Sequence, residues 1–243
     1  MCGRYAQSAD MRELMEQFEV TGASPSQSLP ANWNIAPTHP IYIIRTDQSD
    51  ASKTELATLS WGLVGPWLTN IHEARASQSR AINARSESIH EKPTFRRAFK
   101  STRCLIPAEG YYEWATALGT YSPKQPFYIH AKDSTQLPIA GIWSSWRAPS
   151  GEVINSASII TQEAQGQLAD IHSRMPVFMP RDRWQQWLNP RTNDVEQIKS
   201  LMQVDAPTSN LVAIPVSRAV NSVANNGEKL TAEIALGAPE TLF

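Results

Sequence analysis

The sequence predicts one α+β domain built on a mostly antiparallel β-sheet. Three observations carry that prediction. Short β-type runs recur along the 243 residues and crowd between residues 103 and 160. The helix-type patterns between them are short, which suits helices that flank a sheet. No internal repeat, low-complexity tract or linker interrupts the chain, so nothing divides it into separate domains. A chain of this length can bury a sizeable core, and 41% apolar and 19% charged residues are ordinary for a soluble globular protein.

Residues 2–7 read as a short strand. Over residues 9–20 the apolar positions Met11, Leu14, Met15 and Phe18 recur at helical spacing, with Ser8 placed to cap the helix. Residues 22–31, rich in Ser and Pro, read as a surface loop. Ala36-Pro37 and His39-Pro40 predict extended backbone, because a residue before proline avoids the α region. Residues 41–45 and 55–63 read as neighbouring strands joined by a turn at 47–52. Trp61-Gly62-Leu63-Val64-Gly65-Pro66-Trp67 then breaks the second strand. Trp61 reads as a core plug; Trp67 suits either a core position or a stacking platform for a base. Ser86 or Ser88 can cap a short helix, and residues 94–99 suit one or two helical turns.

Residues 103–114 read as two strands bent at Glu109-Gly110. Period 2 then puts Tyr111 and Glu113 on one face, and Tyr112 and Trp114 on the other. Residues 127–131, 138–143 and 153–160 are further strands. Residues 182–188, which hold Trp184 and Trp187, and 195–202 read as short helices. Residues 211–216 form a last strand. Residues 222–243 are set apart as a polar, small-residue tail, expected to pack loosely.

Composition excludes several classes. No run approaches the ~20 apolar residues of a membrane span, and no signal peptide is visible at the N-terminus. The five histidines and two cysteines show no zinc-type spacing, so no metal is expected. If Cys2 must stay free, no disulfide to Cys104 forms and a reducing cytosolic setting fits best. A net charge of −1 argues against a generally basic nucleic-acid binder. The charge is uneven, however. Residues 74–103 hold eight basic residues against Glu87 and Glu91, a net +6, which leaves −7 for the rest. That segment is either a groove for a polyanion or a solvated face of helices.

The chain begins Met1-Cys2-Gly3-Arg4. With Met1 removed, Cys2 carries an α-amine and a thiol whose ordinary pKa values lie at about 8 and about 8.5. An aldehyde meeting this pair forms an imine at nitrogen and closes through sulfur to a five-membered thiazolidine. An amide or ester would instead meet a thiolate nucleophile with an amine base beside it. The plain alternative is that Cys2 is a small apolar residue at the start of an edge strand, with Met1 retained.

Four motifs stand in order: Met1-Cys2-Gly3-Arg4-Tyr5, Asn83-Ala84-Arg85-Ser86-Glu87, Gly110-Tyr111-Tyr112-Glu113-Trp114 and Ile171-His172-Ser173-Arg174-Met175-Pro176. Asn34-Ile35-Ala36-Pro37, Trp61-Gly62-Leu63 and Pro215-Val216-Ser217 fill the gaps. As an ordered set they resemble the SRAP family, the SOS response-associated peptidases or abasic-site-processing proteins, over residues 2–221. The resemblance implies a single domain with a curved, barrel-like sheet, flanking short helices and a positively charged cleft. It implies a protein that crosslinks itself to abasic sites in single-stranded DNA through a thiazolidine at Cys2, shielding the lesion in the DNA damage response. It also implies autoproteolytic removal of Met1, and it leaves an AP-lyase step open. No cofactor is implied. The expected partner is single-stranded DNA bearing abasic sites, with no membrane. The protein is expected to be a cytoplasmic monomer, associated with the nucleoid when bound to DNA.

The resemblance also distributes roles. Cys2 supplies amine and thiolate. Asn83 donates to the sugar or holds the Cys2 backbone. Glu113 is the catalytic carboxylate, moving protons during imine formation and in self-cleavage of the Met1-Cys2 bond. His172 protonates the sugar ring oxygen to expose the aldehyde. Arg4, Arg85 and Arg174 are expected phosphate clamps. Trp67, Trp114 and Phe95 are expected to stack on or wedge between bases flanking the lesion. Lys92-Pro93-Thr94 precedes Phe95, so Arg96 and Arg97 are the basic residues available beside that aromatic.

Two other readings compete. An N-terminal-nucleophile amidohydrolase would use Cys2 against a carboxamide, but it leaves the His172 and Glu113 motifs and the basic segment without a role. A non-covalent single-stranded DNA-binding module would use the arginines and tryptophans, but not the terminal cysteine.

Overall fold

The computed structural model of the chain describes residues 2–116 and 124–236. In chain order the described strands and α-helices are β1 (Tyr5–Gln7), α1 (Met11–Gln17), β2 (Asn32–Ile35), β3 (Pro40–Thr46), β4 (Thr54–Trp61), α2 (Ile71–Gln78), β5 (Asn83–Arg85), α3 (Arg96–Ser101), β6 (Arg103–Ala108), β7 (Gly110–Trp114), β8 (Pro126–Ala131), β9 (Leu137–Arg147), β10 (Val153–Glu163), β11 (Arg174–Pro176), α4 (Trp184–Leu188), α5 (Val195–Met202) and β12 (Leu211–Pro215). The α+β class holds, with short helices set around the sheets.

Five strands close into a mixed barrel. β3 and β4 form a hairpin whose register runs from Pro40↔Ser60 to Thr46↔Thr54. β6 joins β3 to β9 by antiparallel pairing, and β9 pairs in turn with β10. The ring shuts where β10 meets β4 in parallel, at Ser156↔Ser60 and Ala157↔Trp61. Closure removes the exposed edges that an open sheet would present. A second sheet, wholly antiparallel, runs in the order β12-β8-β7-β1-β2.

Strand alternation splits the core in two. Ile41 and Ile43 of β3 join Cys2, Tyr5, Trp61, Cys104, Tyr111 and Ile159 in a cluster that both sheets supply. Tyr42 and Ile44 face the other way, into a cluster with Phe99, Trp187 and Ile198 from the helices. Trp61 is the core plug expected of it. It is fully buried, donates from Nε1 to Ile82 O at 3.0 Å and meets Tyr5 edge-on at 5.3 Å between ring centroids.

β10 positions the site. Its C-terminal end, at Ile159, Ile160 and Thr161, takes β5 in parallel on one flank. On the other flank, residues Thr161 to Glu163 take β11 antiparallel. β5 and β11 are three residues each, too short to show a period, and neither was expected from the sequence.

Other expectations need correction. The first strand begins at Tyr5, not at Cys2. Helix α1 is capped by Asp10 rather than Ser8. Asp10 Oδ1 accepts from Glu13 N at 2.9 Å while Glu13 Oε2 accepts from Asp10 N at 3.1 Å, a capping box. The Ser8 hydroxyl is committed elsewhere, to Glu109 Oε1 at 2.6 Å. No helix starts at Ser86 or Ser88, where the chain turns instead. The described part of the expected tail is mostly exposed but tied to the body at a few points. Asn34 Nδ2 donates to Ser222 O and Asn225 O, each at 2.9 Å, Leu230 is buried, and Val216 bridges Glu233. Residues 237–243 lie outside the described residues.

Candidate active site and nucleic-acid surface

Cys2 is fully buried just ahead of β1. Pairing of Tyr5 with Tyr111, and the 2.9 Å bond from Tyr112 N to Arg4 O, lay this N-terminal segment alongside β7. The Cys2 carbonyl accepts from Asn83 Nδ2 at 2.7 Å. β10 holds Asn83 in place by pairing Ile159 with it. The other amide atom, Asn83 Oδ1, is buried with no hydrogen-bond partner among the described residues.

Glu113 lies on β7 opposite Phe127 of β8 and is buried. Burial pushes its carboxyl up to about 7, against the opposing pull of the positive chain terminus. Burial likewise pushes the Cys2 thiol far above its usual range, and the Glu113 charge adds to the push. The Tyr111 hydroxyl is raised by burial first, then by Glu113 and Cys2. One desolvated pocket therefore holds the thiol, the carboxyl and the phenol. Period 2 had placed Tyr111 beside Glu113; Tyr5, whose buried hydroxyl has no partner among the described residues, was not singled out.

His172 stands in the loop ahead of β11. Thr116 N donates to Ile171 O at 3.0 Å, tying the loop before β11 to the end of β7. His172 Nδ1 accepts from Arg174 N at 3.0 Å, which assigns the imidazole proton to Nε2. Burial holds its pKa below the ordinary histidine value, and the positive chain terminus acts in the same direction. Cys2, Asn83, Glu113 and His172 thus converge from four separate stretches of chain. Met1 lies outside the described residues.

The expected DNA-contacting residues divide by exposure. Trp67 is 52% exposed, and Arg85 and Arg96 are exposed. Phe95 is half-buried against the helix-side core, away from the Cys2 cluster. Arg4 is anchored by Asn34 Oδ1 at 2.7 Å and Val220 O at 2.9 Å, with its guanidinium carbon 5.9 Å from the Trp114 ring centroid. Trp114 Nε1 donates to Asn221 Oδ1 at 2.7 Å. Arg174 is forked onto Glu87. One residue leaves the basic segment altogether. Arg103 is buried and donates to five carbonyls, those of Trp187, Phe99, Lys100, Asn189 and Thr192. Arg75 pairs with Glu152 at 2.6 Å.

Among the described residues no three His, Cys, Asp or Glu side chains stand together to hold a metal ion. Nor, among them, is any helix long and apolar enough to cross a membrane.

The sequence pattern described as SOS response associated peptidase (SRAP) matches residues 1–223. The chain belongs to the SRAP family. It is 35% identical to the abasic site processing protein YoqW of Bacillus subtilis (strain 168), across 95% of this chain and 98% of that one. It is 32% identical to the abasic site processing protein HMCES of Mus musculus, across 73% of this chain and 56% of that longer one. A crystal structure of a protein from Bacteroides thetaiotaomicron superposes with a TM-score of 0.82 over 96% of this chain and 100% of that one, at 24% identity, and so shares the SRAP fold.

Proposed function

We propose that this protein processes abasic sites in single-stranded DNA by joining itself to them through Cys2. The observation that carries this reading is the pocket in which a buried Glu113 carboxyl, pushed up to about 7, faces the Cys2 thiol while Asn83 grips the Cys2 carbonyl. Two relatives named as abasic site processing proteins support it.

The chemistry runs in two steps once Met1 is gone, by self-cleavage assisted by Glu113. The Cys2 amine adds to C1′ of the open-chain deoxyribose, and water leaves to give an imine. The thiol then adds across the C=N bond, its sulfur to carbon and its proton to nitrogen, closing the thiazolidine. A carboxyl that titrates near neutrality can take the amine proton and return it to the departing hydroxyl. The desolvated thiol stays protonated, so the amine leads and sulfur follows. Asn83 fixes the Cys2 backbone for both steps. His172, with its proton on Nε2, donates to the ring oxygen and favours the open aldehyde. Arg4, Arg85, Arg96 and Arg174 hold phosphates, and Trp67 and Trp114 meet the flanking bases, while Phe95 stays with the helix-side core. The crosslink shields the lesion, in the cytoplasm and on the nucleoid.

The test mixes purified protein of known intact mass with a single-stranded oligonucleotide carrying one abasic site. A band that survives heat and detergent, present in wild type and absent in Cys2→Ala, is expected. No such band from protein already lacking Met1 would sink the covalent reading and redirect the search to glutaminase activity and reversible binding.

A further inference from the structure

Arg174 and Glu87 form a forked ion pair. Arg174 Nη1 donates to Glu87 Oε1 at 2.7 Å, and Nη2 to Oε2 at 2.9 Å. Nη2 also donates to Thr161 O at 2.7 Å. The two side chains differ in exposure, 13% for Arg174 against 53% for Glu87, so the carboxylate stands on the solvent side of the guanidinium. This pair borders the Cys2 pocket. Arg174 N holds His172 Nδ1, and Thr161 lies where β10 is flanked by β5 and β11.

A guanidinium fork fits a carboxylate and a phosphate with the same two parallel N–H bonds. Here Glu87 already fills the fork. An anion arriving from solvent meets Glu87 before it meets Arg174. We propose that Glu87 is an internal counter-anion seated on the phosphate-binding edge of Arg174, so that strand binding exchanges carboxylate for phosphate. This rests on the reading of the site as a nucleic-acid surface.

The exchange has a thermodynamic signature. A cation neutralising one phosphate of a single strand contributes roughly 0.7 to the slope of log K against log salt, through the counterion it releases. When Arg174 leaves Glu87, the freed carboxylate gathers a cation of its own. The two effects oppose each other, and the Arg174 contact becomes nearly silent in salt. Glu87 thereby holds down affinity for ordinary phosphodiester backbone and leaves retention of the strand to the covalent step.

The test measures anisotropy of a dye-labelled, undamaged single-stranded oligonucleotide titrated with full-length protein across a salt series. Glu87→Gln is expected to bind about 2- to 5-fold tighter than wild type at low salt. Its salt slope is expected to steepen by up to roughly 0.7. Glu87→Ala should behave alike, which guards against one variant misfolding. Adding Arg174→Gln to Glu87→Gln should erase both gains. Weaker or equal binding by Glu87→Gln at an unchanged slope overturns the exchange and makes Glu87 a fixed prop for the guanidinium. If wild type neither binds this strand nor crosslinks an abasic one, the nucleic-acid reading itself falls, and the exchange falls with it.

Discussion

Two buried thiols line one core, and their surroundings differ in kind. Cys104 sits within β6, paired across to Gly141 of β9, with Trp187 Nε1 donating to its carbonyl at 2.9 Å. Packing there is tight, since a Cβ at Gly141 would come within 2.9 Å of the Cys104 sulfur. Cys2 sits at a chain end with a carboxyl, an amide and two phenols about it. Burial drives both thiols far above their usual range. Thiol acidity therefore does not separate them. What separates them is whether groups able to move protons share the pocket, and among the described residues such groups stand about Cys2.

The comparison breaks most sharply at the thiols themselves. Cys2→Ala is expected to abolish the denaturant-stable DNA band, while Cys104→Ala keeps it at wild-type yield on the same gel. A crosslink that survives Cys2→Ala would erase the distinction. Next comes Glu113→Gln. Loss of proton transfer is expected to slow crosslinking by about 10²–10⁴-fold in a quench-flow time course. Wild-type rate should climb as pH passes about 7, where the carboxyl ionises, and the variant should keep only the later rise that deprotonation of the Cys2 amine gives near pH 8.

Stability moves the other way at the same residue. The folded carboxyl binds its proton more tightly than the ordinary value of 4.5, so the cost of ionising it is absent below about pH 4.5 and complete above about pH 7. That cost is about 3 kcal/mol. Glu113→Gln should therefore resist urea better than wild type at pH 8 by about that much, and hold no such advantage at pH 4. An equal midpoint at both values would mean the carboxyl is not strained by burial. The smallest effect is expected at the inert wall, where Cys104→Ala should cost about 1 kcal/mol of unfolding free energy with catalysis untouched.

The sequence is informative where chemistry needs a fixed local order. The motif strings single out Cys2, Asn83, Glu113 and His172, and alternation along residues 110–114 places Tyr111 beside Glu113 before any fold is known. It is silent where a contact crosses the chain. β5 and β11 are too short to carry a period, and the parallel closure of β4 on β10 leaves no local mark. Glu87 registers as the last residue of a motif and as a charge opposing a basic segment, but not as an ion-pair partner, because Arg174 lies 87 residues on. Arg103 counts among those basic residues until its five carbonyl partners, spread over loops and helix ends, withdraw it into the core.

The Arg4 anchor has a consequence in time. The Val220 carbonyl that Arg4 holds comes 216 residues later in the chain. A ribosome adding about 5–20 residues per second separates the two by roughly 10–45 s. For that interval the N-terminal segment exists without Asn83's grip at first, then without His172, and last without the strap that pins Arg4. The end that carries Cys2 is made first and housed last. How long its thiol stays open to solvent during synthesis is set by how soon the C-terminal third of the chain arrives.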